Sequence, residues 1–497
     1  MQNLSEHNRD YAIFLPAISQ FYASMIRKEH PPERIPEGFE KGQEGLDFLK
    51  PDGYFHYNRA LYSAGHAKID LEKSVAHEPM VWTRDRDQTL LVSDSGGFQI
   101  GKGVIKFDWA RFFEKKGDRG YKGTADRVRE GILRWQEHVS EWSMVMDIPT
   151  WATTRPETGL KTFDDCLKAT LHNNDFYVEN RTEGMTKFLN VIQGGNWDES
   201  QRWYDAVKHY PFEGWAMGGQ NMCNMEVALK RLIVLRDDGM LEDRDWIHFL
   251  GTSKLEWACM LTLIQRQLRK INPRLTISFD CASPFVAVAN GRTYSAPVHT
   301  PEKWGYVMTF TFDDRRFKGS KIPFPFQSEI GKRLTIGDIC HYGPGDLNKI
   351  GKEGATSWDS FSYALLMAHN TYQHIRAVQT ANNLTDIETQ IYQPHPHDWR
   401  KTKGRAGQKA ISEWVPNNIL YFATLVEEIF SSDNPFSVIE DNSAFLQSIS
   451  LSNNRKTNAV FDELFGDGAA DVDEDTFASL DNDQMEALER ANEGEEG

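Results

Sequence analysis

Five short apolar runs, each stopping at a polar residue or a glycine pair, constrain this chain more than any other feature. The first is Leu90-Leu91-Val92-Ser93-Asp94, followed by Ser95-Gly96-Gly97-Phe98-Gln99. The others end on Asp147 (after Ser143-Met144-Val145-Met146), on Gln193-Gly194-Gly195, on Gly218-Gly219 and on Asp280. Apolar runs of this length between turn signals read as buried strands. Between them the period becomes helical. Over 124–140, Val128, Ile132, Leu133, Trp135 and Val139 share a face and Thr124 offers an N-cap; 200–209, 225–235 and 260–269 read likewise. Strand and helix in alternation mean parallel βα units. Functional residue types at the ends of several strands favour a (β/α)8 TIM barrel over an open sheet, because a barrel turns every strand end to one mouth.

The flanks complete this architecture. Residues 11–19 and 60–65 offer early barrel strands, with a Pro-rich stretch at 31–38 between them. Beyond Pro297 the pattern changes to a strand-like piece at 306–312 and helices at 358–380 and 411–430. The expected organisation is an N-terminal segment of early barrel elements (1–80) and a barrel core with the active site (81–300). Residues 301–466 then complete the barrel and add a C-terminal α+β appendage, followed by an acidic, disordered tail (467–497).

Charge is distributed unevenly. The chain carries −16, but residues 461–497 hold fourteen acidic residues against one basic, Arg490, and so account for −13. The rest is nearly neutral, which allows local basic patches without a global field. Among 497 residues no run approaches the ~20 apolar residues of a membrane span. Met1-Gln2-Asn3-Leu4-Ser5-Glu6 lacks the basic and apolar regions of a secretory signal, and the five cysteines are scattered and odd in number. The expectation is a cytoplasmic protein.

Asp94-Ser95-Gly96-Gly97-Phe98-Gln99, Val191-Ile192-Gln193-Gly194-Gly195, Met217-Gly218-Gly219 and Phe279-Asp280-Cys281 resemble, in order and spacing, the motifs of the tRNA-guanine transglycosylases. Singly, each aspartate reads as a turn or capping residue and each glycine pair as a tight turn. The ordered set carries the resemblance, which covers roughly 85–300. It implies a TIM barrel that exchanges guanine for a 7-deazaguanine base through a covalent enzyme–nucleic acid intermediate. The residue types suit that chemistry: replacing a base at C1′ passes through an oxocarbenium-like state, for which two carboxyl groups suffice. By resemblance, Asp280 is the nucleophile, and Asp94 is the acid for departing guanine and the base for its replacement. Phe98 and Leu250 sandwich the base, and Asp147 accepts from its N–H edge. Gln193 and the Gly219 N–H hold its carbonyl side, with Gln99 and Gly218 shaping the wall.

Three departures from the family bear on the substrate. The zinc cluster is reduced to Cys340, with His341 beside it and His369 downstream, so no metal or other cofactor is expected. Two arginines that grip the anticodon loop are missing, since 283–291 contains none before Arg292. The acid that recognises an aminomethyl group is replaced around Asn221 to Asn224, which suits a neutral substituent such as cyano. These departures are similar to the phage-type DNA-guanine transglycosylases, enzymes of DNA modification. The expected partners are DNA, single-stranded or with a flipped base, free guanine and 7-cyano-7-deazaguanine. Candidate DNA contacts are Lys115, Lys116, Arg119, Lys122, Arg127, Arg129 and the segment His397–Arg405. Two rival expectations stand beside this one: the same chemistry on tRNA, and a non-catalytic nucleic-acid-binding subunit. Oligomeric state is left open.

Overall fold

In the computed structural model, which describes residues 2–5, 10–67, 78–101, 105–343, 356–394 and 410–451, the apolar runs form the staves of one barrel. The strands are β1 (Ile13–Pro16), β2 (Arg59–Ser63), β3 (Leu90–Asp94), β4 (Trp142–Met144), β5 (Lys187–Ile192), β6 (Gly214–Met217), β7 (Trp246–Phe249) and β8 (Thr276–Cys281). Each pairs in parallel with the next from β2 to β8, and β8 pairs with β1. An isolated parallel bridge between Ala17 and Leu61, with the Ile18 N–H donating to the Leu61 carbonyl at 3.0 Å, closes β1 onto β2. The fold is a (β/α)8 barrel. A parallel sheet must be covered outside by helices and filled inside by side chains, which is why its strands are mostly apolar.

The covering helices are α1 (Gln20–Arg27), α2 (Thr124–Val139), α3 (Phe163–Asn180), α4 (Trp197–Val207), α5 (Met225–Asp237), α6 (Leu255–Leu268) and the short α7 (Ser283–Ala289). In α2 the cap position belongs to Gly123 (φ +64) rather than Thr124, which becomes the first helical residue. The periodicity missed α3, which a Thr162–Asp165 capping box opens. Its buried face includes Thr170, Asn173 and Asn174, polar residues that hide the apolar stripe from a sequence reading.

Beyond the barrel, an antiparallel hairpin, β9 (Arg292–His299) with β10 (Trp304–Phe310), leads to the 32-residue α8 (Ser360–Ile391) and then α9 (Asn417–Ser431). The helix expected from 411 starts at Asn417 because Pro416 sits at its cap. Helix α8 runs antiparallel to the strands. His374 Nε2 lies 3.7 Å from Cys281 Sγ at the end of β8, and Asn383 and Asp386 accept from Tyr11 just before β1. The turns before His374 continue past that contact toward the N-terminus of the helix. There Asp359, the N-cap of α8, pairs with the buried Arg34 (Nη2 to Oδ1, 2.8 Å). The appendage thus rises beside the mouth of the barrel. The acidic tail and the segment His397–Arg405 lie outside the described residues.

Candidate active site at the mouth of the barrel

The last residue of β3 is Asp94, and its Oδ2 accepts from Ser63 Oγ (2.8 Å), the last residue of the neighbouring β2. The same hydroxyl lies 3.3 Å from Oε1 of Gln99, which is buried one turn further on. Asp147 follows β4 by three residues; its Oδ2 accepts from the amide of Gln193 (2.8 Å), the residue after β5. Both are buried. Their seat is made of glycine: a Cβ on Gly97 would stand 2.9 Å from Asp147 Oδ1, and one on Gly218 would stand 2.6 Å from Gln193 Nε2. Gly219 opens a 3-10 turn, so its N–H has no partner inside that turn. Leu250 follows β7 and is partly buried. Phe98 lies in the turn Gly97–Gly101, but its side chain lies outside the described residues.

Asp280, on β8, is held differently. Its Oδ1 accepts from the Gly251 N–H (2.9 Å) and faces His248 Nε2 (3.1 Å), and its backbone carbonyl accepts from the Thr252 N–H (2.7 Å). Among the described residues Oδ2 takes no hydrogen bond. Ser63, His248 and the Gly251 N–H are members of the site that the sequence reading missed. The signal for His248 was there: it is the one polar residue in Trp246-Ile247-His248-Phe249, an otherwise apolar strand.

The acids act on one another. Burial raises the Asp94 carboxyl above the ordinary carboxylate range, and the Asp280 charge adds to this against the hydrogen bond from Ser63. Burial also pushes Asp147 up to about 7, helped by Asp94 and opposed by Gln193. One mouth therefore holds a carboxyl biased toward its protonated form, a second held by the Gly251 N–H and facing His248, and an acid–amide pair against glycine backbone. Such a set can deliver a proton, attack an electrophilic carbon, and read donors and acceptors on the edge of a flat ligand.

Cys340 and His369 have separate surroundings. Cys340 packs with Phe312, Phe317 and Ile336. His369 has both ring nitrogens engaged, Nδ1 with Ser328 Oγ (2.7 Å) and Nε2 with the Tyr294 carbonyl (2.8 Å). With Asn370, which accepts from the Tyr294 N–H (2.9 Å) and donates to the Pro284 carbonyl (3.1 Å), His369 ties the hairpin to α7. Of the expected DNA contacts, Lys115, Lys116, Arg119, Lys122 and Arg127 are exposed beside α2. Arg129 is not available: it is fully buried, donating to Asn173 (2.7 Å), Asp126 (2.8 Å) and the Phe112 carbonyl (2.7 Å). Its guanidinium locks the 105–123 loop to α2 and α3, which is a structural task. No helix among the described residues is long and apolar enough to cross a membrane. Compared with known proteins, the chain matches no family model and no curated protein.

Proposed function

We propose that this chain exchanges guanine in DNA for a 7-deazaguanine base, with 7-cyano-7-deazaguanine as the incoming base. The observation that carries the reading is the pair Asp94 and Asp280, electrostatically coupled at one mouth yet differently surrounded. In the proposed cycle, Asp280 Oδ2 forms a bond to C1′ as the bond from C1′ to guanine breaks, and Asp94 gives its proton to the departing base. The incoming base then loses a proton to Asp94 and attacks C1′, which frees Asp280. Asp147 and Gln193 read the guanine-like edge, since a charged acceptor beside an amide suits guanine and not adenine.

The choice of substituent and polymer has its own support. Asn221, fully buried, accepts from Ser200 Oγ (2.7 Å) and donates to the Gly218 carbonyl (3.1 Å), and it carries no charge to pair with a cationic group. Where the resemblance leads one to expect anticodon-gripping arginines, this chain has the buried apolar α7. DNA is left to the exposed lysines and arginines between 115 and 127, and the target base has to leave its stack to enter a barrel.

Trapping tests the reading. Wild-type protein mixed with DNA and quenched in denaturant should give a protein–DNA adduct. Asp280→Ala should give none while still binding free guanine. An Asp280→Ala protein that exchanges bases at the wild-type rate removes the nucleophile and with it the mechanism.

A further inference from the structure

Beneath Asp280 the barrel interior departs from its apolar rule. Val191, Ala216, His248, Ser278 and Ile13 stand in register across five neighbouring strands, and the two polar members are adjacent. Ser278 precedes Asp280 by two residues on the same strand, so both side chains project from one face. His248 and Ser278 are completely buried. Burying two polar groups in a barrel core is costly unless each is satisfied.

Among the neutral tautomers, donor and acceptor rules leave one that satisfies every group. The Trp246 indole N–H can only donate, and it donates to Ser278 Oγ (2.7 Å). The one hydroxyl proton of Ser278 is then free to go to His248 Nδ1, 2.8 Å away. That makes Nδ1 the acceptor and leaves the proton on Nε2, aimed at Asp280 Oδ1 (3.1 Å). The opposite tautomer would set an imidazole lone pair against a carboxylate oxygen. We infer that Trp246, Ser278 and His248 form a positioning column that fixes Asp280 through Oδ1, with the Gly251 N–H as second donor, so that Oδ2 is the oxygen turned to the ligand. His248 is thus a positioning residue rather than a catalytic one, and its effect on rate rests on the base-exchange reading.

The test uses the full-length protein with 15N-labelled histidine, in wild-type, Ser278→Ala, His248→Gln and His248→Leu forms. The column predicts the Nε2–H tautomer for His248 in the wild type and, in Ser278→Ala, the same tautomer with a shifted Nδ1 resonance, because Nδ1 loses its hydrogen bond. His248→Leu should slow single-turnover exchange on the order of 10²-fold, with the KM for free base within about twofold. His248→Gln, whose amide can still donate to Oδ1, should recover most of that loss. Should the leucine variant fail to fold, Ser278→Ala and His248→Gln carry the comparison. An Nδ1–H tautomer in the wild type, or a His248→Leu variant exchanging at the wild-type rate, overturns the column. A wild type that shows the tautomer but exchanges no base discards base exchange and still supports the positioning of Asp280.

Discussion

At the residue scale, polar residues that close apolar runs could be placed at strand ends, and the ordered set of motifs, not any one residue, marked them as a site. Asp94, Asp147, Gln193 and Asp280 are of this kind. Ser63 and Ser278 were not, since their partners lie on adjacent strands and depend on register, which one sequence does not display; His248 stood out as the one polar residue of its strand, but its partners did not. Asp147 offers a pH test. With its carboxyl raised to about 7, the unfolded chain gives up that proton first, so its favourable contribution is complete below about pH 4 and disappears as pH rises through 7. Asp147→Asn should therefore be more stable than wild type at pH 8, by roughly 2–4 kcal/mol, and level with it near pH 4 in denaturant titrations. Binding runs the other way, because the base needs the charged form: guanine should bind wild type about tenfold more weakly at pH 6 than at pH 8, and Asp147→Asn should flatten that dependence. Gly97→Ala would set a methyl group against Asp147. It should weaken guanine binding roughly ten- to hundredfold by calorimetry, through the displaced carboxylate.

Elements were legible in proportion to how cleanly their buried faces were apolar. Helices α2, α4 and α5 showed themselves by period, whereas α3 hid behind Thr170, Asn173 and Asn174. Helix α8 was foreseen only to residue 380 although it runs to Ile391, because its last turns expose Ile387 and Ile391 and bury Asn382, Thr385 and Glu388, so no apolar stripe marks the buried face. Position on a helix also decides what a cation does. Arg129 sits on the buried face of α2 and Arg127 on the exposed one. Arg129→Met leaves Asp126, Asn173 and the Phe112 carbonyl without their donor and should cost roughly 3–5 kcal/mol in urea unfolding. Charge reversal at Lys115 and Lys116 should leave stability alone while lowering DNA affinity and flattening its dependence on salt.

At the scale of the whole molecule, strand–helix alternation foresaw the parallel βα units and functional residue types at several strand ends favoured closure, while the bridge from Ala17 to Leu61 that joins the first and second strands was beyond any local pattern. The appendage was expected, but its anchoring by His369 and Asn370 was not, because those residues act across more than 70 positions of chain. The charge of the molecule sits almost wholly in residues 461–497. Removing 467–497 should leave DNA affinity and turnover unchanged, and a gain in either would assign the tail an inhibitory role. The central claim, base exchange on DNA by Asp280, is tested most directly by incubating the purified chain with labelled guanine and DNA, or with tRNA, and counting label in the polymer. The account predicts label in DNA alone, abolished by Asp280→Ala; label in tRNA alone, or in neither, would contradict it.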